Sequence, residues 1–507
     1  MGGPNPGIDP VIVAYISECL EKKKPVTLRG FVEAERDLVI QTSNRGEDLT
    51  TVWPFRFGKA AKQLNATIER SKVDWGDIAL EILKRQPTAA PLSSKASTTT
   101  ADSDLLSTSS STSSSSSSTT VKRLCASDQT RAIKMFEALD PNKMWKLSTG
   151  TMVEEQLALL VKECNFEHQC HSMILDPSLH IWNQYFTEEE LNEISSYNTM
   201  AVSPLPVHIR DYLSSYKSKH TLDDLTVQHN TFGPFDRVKQ SDLYWVHKAV
   251  SDALDLYHCN YFQDLDRTEE DIVRRVWELI ERCFDYTNIK YTGGEMASQA
   301  SAQRMNGGRD PSAIHYMKRK RSGTKTDGLF KSKVGFLELG TCEAGKFSDT
   351  TSTKSIQEGS LKCPKTLKDM LLNIVQESPR NIRKAQTLGF IVSGKYFWDA
   401  LFQDCLYAIL QLIAASFPQG YVCRIMDLSG WLQYPTCEKD MIKRLTPIIQ
   451  LIWHAKTTMT QMVDMVQMDE DTVDLSMKRS TIPIPPSFTP SSNKSSPSNG
   501  KRSRNDL

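Results

Sequence analysis

The chain has no excess of either charge: 61 lysines and arginines stand against 61 aspartates and glutamates in 507 residues. Overall charge therefore excludes neither a nucleic-acid partner nor any other, and local charge has to decide. Long apolar runs are missing too. The longest apolar-rich stretch, LYAILQLIAASF, is about half of what crosses a bilayer, so no membrane partner is expected. The start, MGGPNPGIDPVIVAYISE, lacks a basic region leading into an apolar run, and no secretory leader is expected. The cysteines include no CxxC pair and no closely spaced even framework, which suits a reducing, intracellular compartment, cytosol or nucleus. No P-loop, HExxH or GxSxG occurs, so an oxidoreductase or kinase would have to do without its usual phosphate loop.

What is present divides by composition. Residues 91–121 are dominated by serine and threonine and cannot bury enough apolar surface to offset ordering entropy; they read as a flexible linker. Residues 476–507 read as a disordered tail for the same reason. The linker sets apart an N-terminal piece, 1–90, in which PVTLRGFVEA, RDLVIQT and TTVWPFRF have strand-like text and WGDIALEILKR is helical. Residues 122–265 are mainly helical. STGTMVEEQLALLVKECN offers Thr149 or Thr151 as a cap, and TEEELNEISSY repeats a polar cap with an acidic first turn.

From 266 to 475 the pattern changes. DRTEEDIVRRVWELIERCFD predicts an amphipathic helix with Ile272, Val276, Leu279 and Ile280 on one side. A first strand falls in NIKYT or IHYMK, and a hairpin in KTDGLFKSKVGFLELGTCEAGK. A helix with Pro364 in its first turn follows, then strands in TLGFIVSG, YAILQLI and GYVCRIMD. A long helix, kinked at Pro447, closes the region. The expected class is α/β (α+β).

The hairpin carries two carboxylates where apolar residues are expected. A turn at KSK places Asp327 directly opposite Glu338, on the same face, with Cβ atoms about 5 Å apart. Like charges so placed repel unless a cation sits between them. A hard divalent ion, Mg²⁺ or Mn²⁺, bound by Asp327 and Glu338 would resolve the conflict. The bland alternative is a surface hairpin whose acids pair with Lys325, Lys331 or Lys333.

With its preceding helix and following helix–strand unit, this stretch resembles the PD-(D/E)xK, or restriction-endonuclease-like, nuclease superfamily. It also resembles fungal proteins with a D…E-x-G-x-x-E version of the site, Glu343 being the second glutamate. The resemblance covers roughly 265–430 and implies an αβββαβ core and a metal-dependent nucleic-acid phosphodiesterase. Asp327 and Glu338 would hold the metal and Glu343 would assist. Gly340 stands where the family has lysine, which implies an alternative: an inactive nuclease-fold protein that binds nucleic acid or protein. The register that pairs Asp327 with Glu338 sets Lys325 opposite Gly340, making Lys325 a candidate for the displaced lysine and Lys346 its rival.

MKRKRSGTK brings Lys318, Arg319, Lys320 and Arg321 just ahead of Asp327. Such a run admits phosphate to an acidic site and reads equally as a nuclear import signal or a charged loop. Glu278 or Glu281 could complete a metal shell, and Lys346, Lys354 and Lys362 could meet phosphates. Cys164, His168, Cys170 and His171 are too crowded for a usual zinc finger and read as a helix end and turn.

Overall fold

The computed structural model describes most of residues 10–73 and 123–491, leaving out within them chiefly 43–48, 310–318, 346–357, 400–401 and 471–482. The chain forms two compact units, Met1–Ser117 and Ser118–Leu507. Among the described residues no helix is long and apolar enough to cross a membrane.

The N-terminal unit is helical where strands were expected. PVTLRGFVEA, RDLVIQT and TTVWPFRF contribute most of α2 (Leu28–Ala34), α3 (Arg36–Thr42) and α4 (Leu49–Gln63), after α1 (Pro10–Glu21). Thr27 is extended and its side chain accepts the Gly30 N–H (3.0 Å), which starts α2. Phe31, Trp53 and Phe57 then meet Ile12 and Ile16 in one core. Burial of these large side chains overrides their strand propensity. Among the described residues of this unit, strand survives only as β1 (Val26–Thr27) and β2 (Ile68–Glu69), paired in parallel. The WGDIALEILKR helix falls almost wholly outside the described residues.

The larger unit is mixed α/β. Helices come first: α5 (Ala126–Glu137), α6 (Val153–Glu163), α7 (Glu188–Ser196), α8 (Val207–Ser214), α9 (Leu222–Asn230) and α10 (Ser241–His258). Between α6 and α7 lies β3 (Ile174–Leu175). Thr187 and Glu190 cap α7 reciprocally, as its sequence predicts. Neither Thr149 nor Thr151 caps α6, whose N-cap is Met152 without a side-chain bond. The carboxylate of Glu154 instead accepts the backbone N–H groups of Trp145 and Tyr421, both at 2.8 Å.

The helix expected over 266–285 is two helices, α11 (Glu269–Val276) and α12 (Glu278–Arg282), broken at Trp277. Next come β4 (Ile289–Ala297), in NIKYT, then α13 (Gln299–Asn306), β5 (Lys325–Ser332) and β6 (Glu338–Gly345). A π-helical turn (Glu358–Lys362) leads into α14 (Cys363–Glu377). β7 (Gln386–Asp399), β8 (Phe402–Ser416), β9 (Cys423–Asp427), β10 (Leu432–Gln433) and α15 (Met441–Glu470) complete the unit; Pro447 lies inside α15.

The strands form one sheet in the order β3-β9-β8-β7-β6-β5-β4, with β10 on β8. β4, β5 and β6 make an antiparallel meander, and β7 returns parallel to β6 through α14. Gly389 packs under Cys363 and Leu367 of α14, while Gly340, paired one residue away with Leu388, meets Met459 of α15. Successive residues face opposite ways, so α14 and α15 cover opposite faces. Ile272 of α11 and Phe284 pack on the α15 face, against Gly394 and Phe330.

Two domain boundaries shift. Residues of α8–α10 share a hydrophobic core with the sheet and α15, so residue 265 does not separate two cores. Residues 483–491, expected to be disordered, lie on the helical cluster with Phe488 buried.

Candidate functional site

The hairpin does not turn at KSK. Ser332 donates its N–H to the Leu337 carbonyl (2.8 Å), and Gly335 takes φ +73° within the turn, a left-handed conformation glycine adopts without strain. The observed partners are Gly328 with Cys342, Leu329 with Thr341 and Phe330 with Gly340. At Leu339 a bulge intervenes, after which Lys331 faces Glu338. Asp327 is therefore not opposite Glu338. The same register carried one step brings it opposite Glu343, five residues further along β6.

Glu338 has a different task. Its buried carboxylate accepts the Ser298 hydroxyl (2.7 Å) and the N–H groups of Gln299 (2.8 Å) and Ala300 (3.1 Å), with the Lys331 ammonium at 3.5 Å. It holds the first turn of α13, where the exposed N–H groups favour a negative charge. The expected placement of Asp327 directly opposite Glu338 is overturned.

Asp327 and Glu343 do share a face. Thr341 lies beside Gly389, which packs under α14, and Glu343 follows two residues later beside Ile391. Asp327, two residues before Leu329, points the same way by alternation. One Asp327 oxygen accepts the Ala344 N–H (2.8 Å), where the β5–β6 ladder ends. Glu343 is fully buried and meets the Lys362 ammonium at 2.6 Å. Lys362 comes from the π-helical turn at the entrance to α14, so the crossover itself delivers a cation to the last strand of the meander. Burial and the nearby charges of Asp327 and Glu343 hold the Cys342 thiol well above its ordinary pKa, and burial with the Glu343 charge does the same at Cys363.

The remaining candidates disperse. Lys325 pairs with Glu295 of β4 (2.5 Å), both side chains well exposed. It is not opposite Gly340, and that glycine leaves no room for a visiting side chain. A Cβ there would lie 2.3 Å from the Leu388 carbonyl oxygen and 2.6 Å from Met459 Cε. Gly340 is thus required by close packing of β6 between β7 and α15. Glu278 pairs with Arg282 (2.7 Å), and its helix lies on the opposite side of the sheet from α14. Burial, with Asp285 and Glu278 nearby, raises the Glu281 pKa.

Arg319, Lys320 and Arg321 are exposed, and the Arg321 backbone is fastened to Asn306 at the end of α13 (2.9 and 2.8 Å). Lys318, Lys346 and Lys354 lie outside the described residues. His168, Cys170 and His171 form a short capped turn, His168 Nδ1 accepting the Cys170 N–H (3.2 Å), while the Cys164 thiol turns to the Phe166 carbonyl (3.3 Å).

Two carboxylates on one face suit a hard divalent ion that keeps most of its waters. Among the described residues no group of three His, Cys, Asp or Glu side chains is placed to hold an ion by itself. The sequence points to Lys362 only as a phosphate contact, whereas the structure pairs it with Glu343. The signal for the true register is Gly335, the one glycine between Ser332 and Glu338 and so the residue there suited to a left-handed turn. Comparison of the chain with protein-family models, with curated proteins and with solved structures finds no match.

Proposed function

We propose that the α14 face of β5 and β6 is a nuclease-type site for metal-dependent hydrolysis of a nucleic-acid phosphodiester, centred on Asp327 and Glu343. The observation that carries this reading is their shared face beside Lys362, on a three-strand meander followed by a helix and a parallel fourth strand. Apart from α13, which lies between the first two strands, that order agrees with the αβββαβ arrangement the resemblance implies, with the acids at adjoining ends of the second and third strands. Mg²⁺ or Mn²⁺ held there would supply an activated water. Asp327 and Glu343 bind, Lys362 fixes the Glu343 carboxylate, and Arg319, Lys320 and Arg321 supply positive charge for a phosphate backbone.

Nicking of plasmid DNA and cleavage of single-stranded RNA, each with Mg²⁺ or Mn²⁺ and with chelator, test the reading. Cleavage should vanish in chelator and in Asp327→Ala and Glu343→Gln, each falling at least about 100-fold. Cleavage that survives chelation, or persists in both variants, overturns it.

A second reading has its own support. The 2.6 Å ion pair occupies the Glu343 carboxylate, and Gly345 stands where an E-x-K lysine following Glu343 would be. A non-catalytic module that binds nucleic acid through Arg319–Arg321 is the result if no metal elicits cleavage while binding persists and weakens with salt.

A further inference from the structure

Residues 483–491, PIPPSFTPS, run as a strap across the helical cluster and onto α13 and α14. Phe488 is buried, its ring centroid 5.8 Å from that of His171 and 4.8 Å from the Arg131 guanidinium carbon. The Phe488 N–H donates to the Ser172 hydroxyl (3.0 Å), and Ser491 donates its N–H (3.0 Å) and hydroxyl (2.8 Å) to Asp128. Thr489 lies between these anchors. Its hydroxyl accepts from the Arg304 guanidinium, and its carbonyl accepts from Arg131. Arg304, its side chain only 10% exposed, is held in turn by Asp369 of α14 (2.7 Å).

A threonine followed by proline, in an irregular segment with one guanidinium on its hydroxyl and a second on its backbone, is a seat for more than a hydroxyl. We propose that Thr489 is a phosphorylation site and that Arg304 and Arg131 receive the phosphate, locking the strap. A protein kinase would transfer the γ-phosphoryl of a nucleoside triphosphate. The Thr489 Oγ–P bond forms, the bond from γ-phosphorus to the β-phosphate oxygen breaks, the diphosphate leaves and the hydroxyl proton passes to solvent. The phosphothreonine carries a charge of about −1.5 to −2 at pH 7 and three acceptor oxygens, so the two guanidinium groups meet an ionised acceptor in place of a neutral one. The acids nearby are already engaged: Asp369 by Arg304, Asp128 by Ser491 and Arg131, and Glu167 by Lys365 (2.5 Å). The strap's role is independent of whether the Asp327–Glu343 site cleaves.

The full chain, treated with a proline-directed protein kinase and ATP, is mapped by mass spectrometry and then followed by hydrogen exchange. Phosphate should appear at Thr489, faster in Phe488→Ala, where the strap is loosened. In the wild-type chain the Phe488 and Ser491 amides should then exchange at least about tenfold more slowly, and Arg131→Gln should shrink that gain. Exchange that is unchanged or faster after phosphorylation overturns the proposal. So does phosphate confined to Ser491 or other positions, or a Thr489 unmodified in both chains.

Discussion

Glu338 and Glu343 show how far two identical residues on one strand can differ in what they do. Glu338 faces the open N-terminus of α13 and takes three hydrogen bonds there. Removing it leaves buried donors without an acceptor, at about 1–3 kcal/mol each where water cannot enter. Glu338→Ala should therefore cost about 3 kcal/mol, read as a lower urea midpoint, and should loosen the α13 amides first in hydrogen exchange. An unchanged midpoint would show that the cap contributes nothing. In the sequence both glutamates were visible and their roles were not. Both sit in ELGTCE, and only the register decides which one meets Asp327.

At the scale of elements, the mixed α/β class and the order of most strands and helices after residue 285 were legible because apolar periodicity, Pro364 and the turn glycines each mark a boundary locally; α13, inserted between β4 and β5, was not. The hairpin register was not, because a placement at KSK and one around Gly335 are equally compatible with alternation until the bulge at Leu339 is known. The N-terminal strands failed for a related reason: aromatic and β-branched residues score as strand, yet here they form the buried face of a helix cluster. Gly340 belongs to this scale as well. The resemblance to the nuclease superfamily would make it a lost lysine, whereas packing makes it the point where β6 passes close to β7 and α15. Gly340→Ala should destabilise by about 1–3 kcal/mol, as overpacking does, and Gly340→Lys should impair folding without creating activity. Thermal unfolding of both variants decides; a Gly340→Lys chain as stable as wild type would contradict the packing account.

The larger unit as a whole should be sensitive to mild acid. Burial holds His168 and His229 at about 4, below the ordinary 6.5, helped at His168 by His171 and at His229 by His247 and Lys248. The His229 and His247 rings are stacked, centroids 4.0 Å apart. A histidine depressed in the fold stays neutral there while the unfolded chain takes up a proton, so its contribution is complete above pH 6.5 and fades towards about 4. Denaturant titrations at pH 7, 6 and 5 should show stability falling, with a shallower slope in His229→Gln; equal slopes would exclude His229 as a source. The strap has a further consequence for the larger unit. Arg123 bridges to Phe166 near its beginning, and Ser491 is bonded to Asp128 near its end, so the described chain returns to where it started. Beginning and end are thus interchangeable with a cut elsewhere. A circular permutant that joins Ser491 to Arg123 through a few glycines and opens at the exposed turn Lys217–Ser218 should keep its fold, with a melting temperature within about 5 °C of the uncut unit.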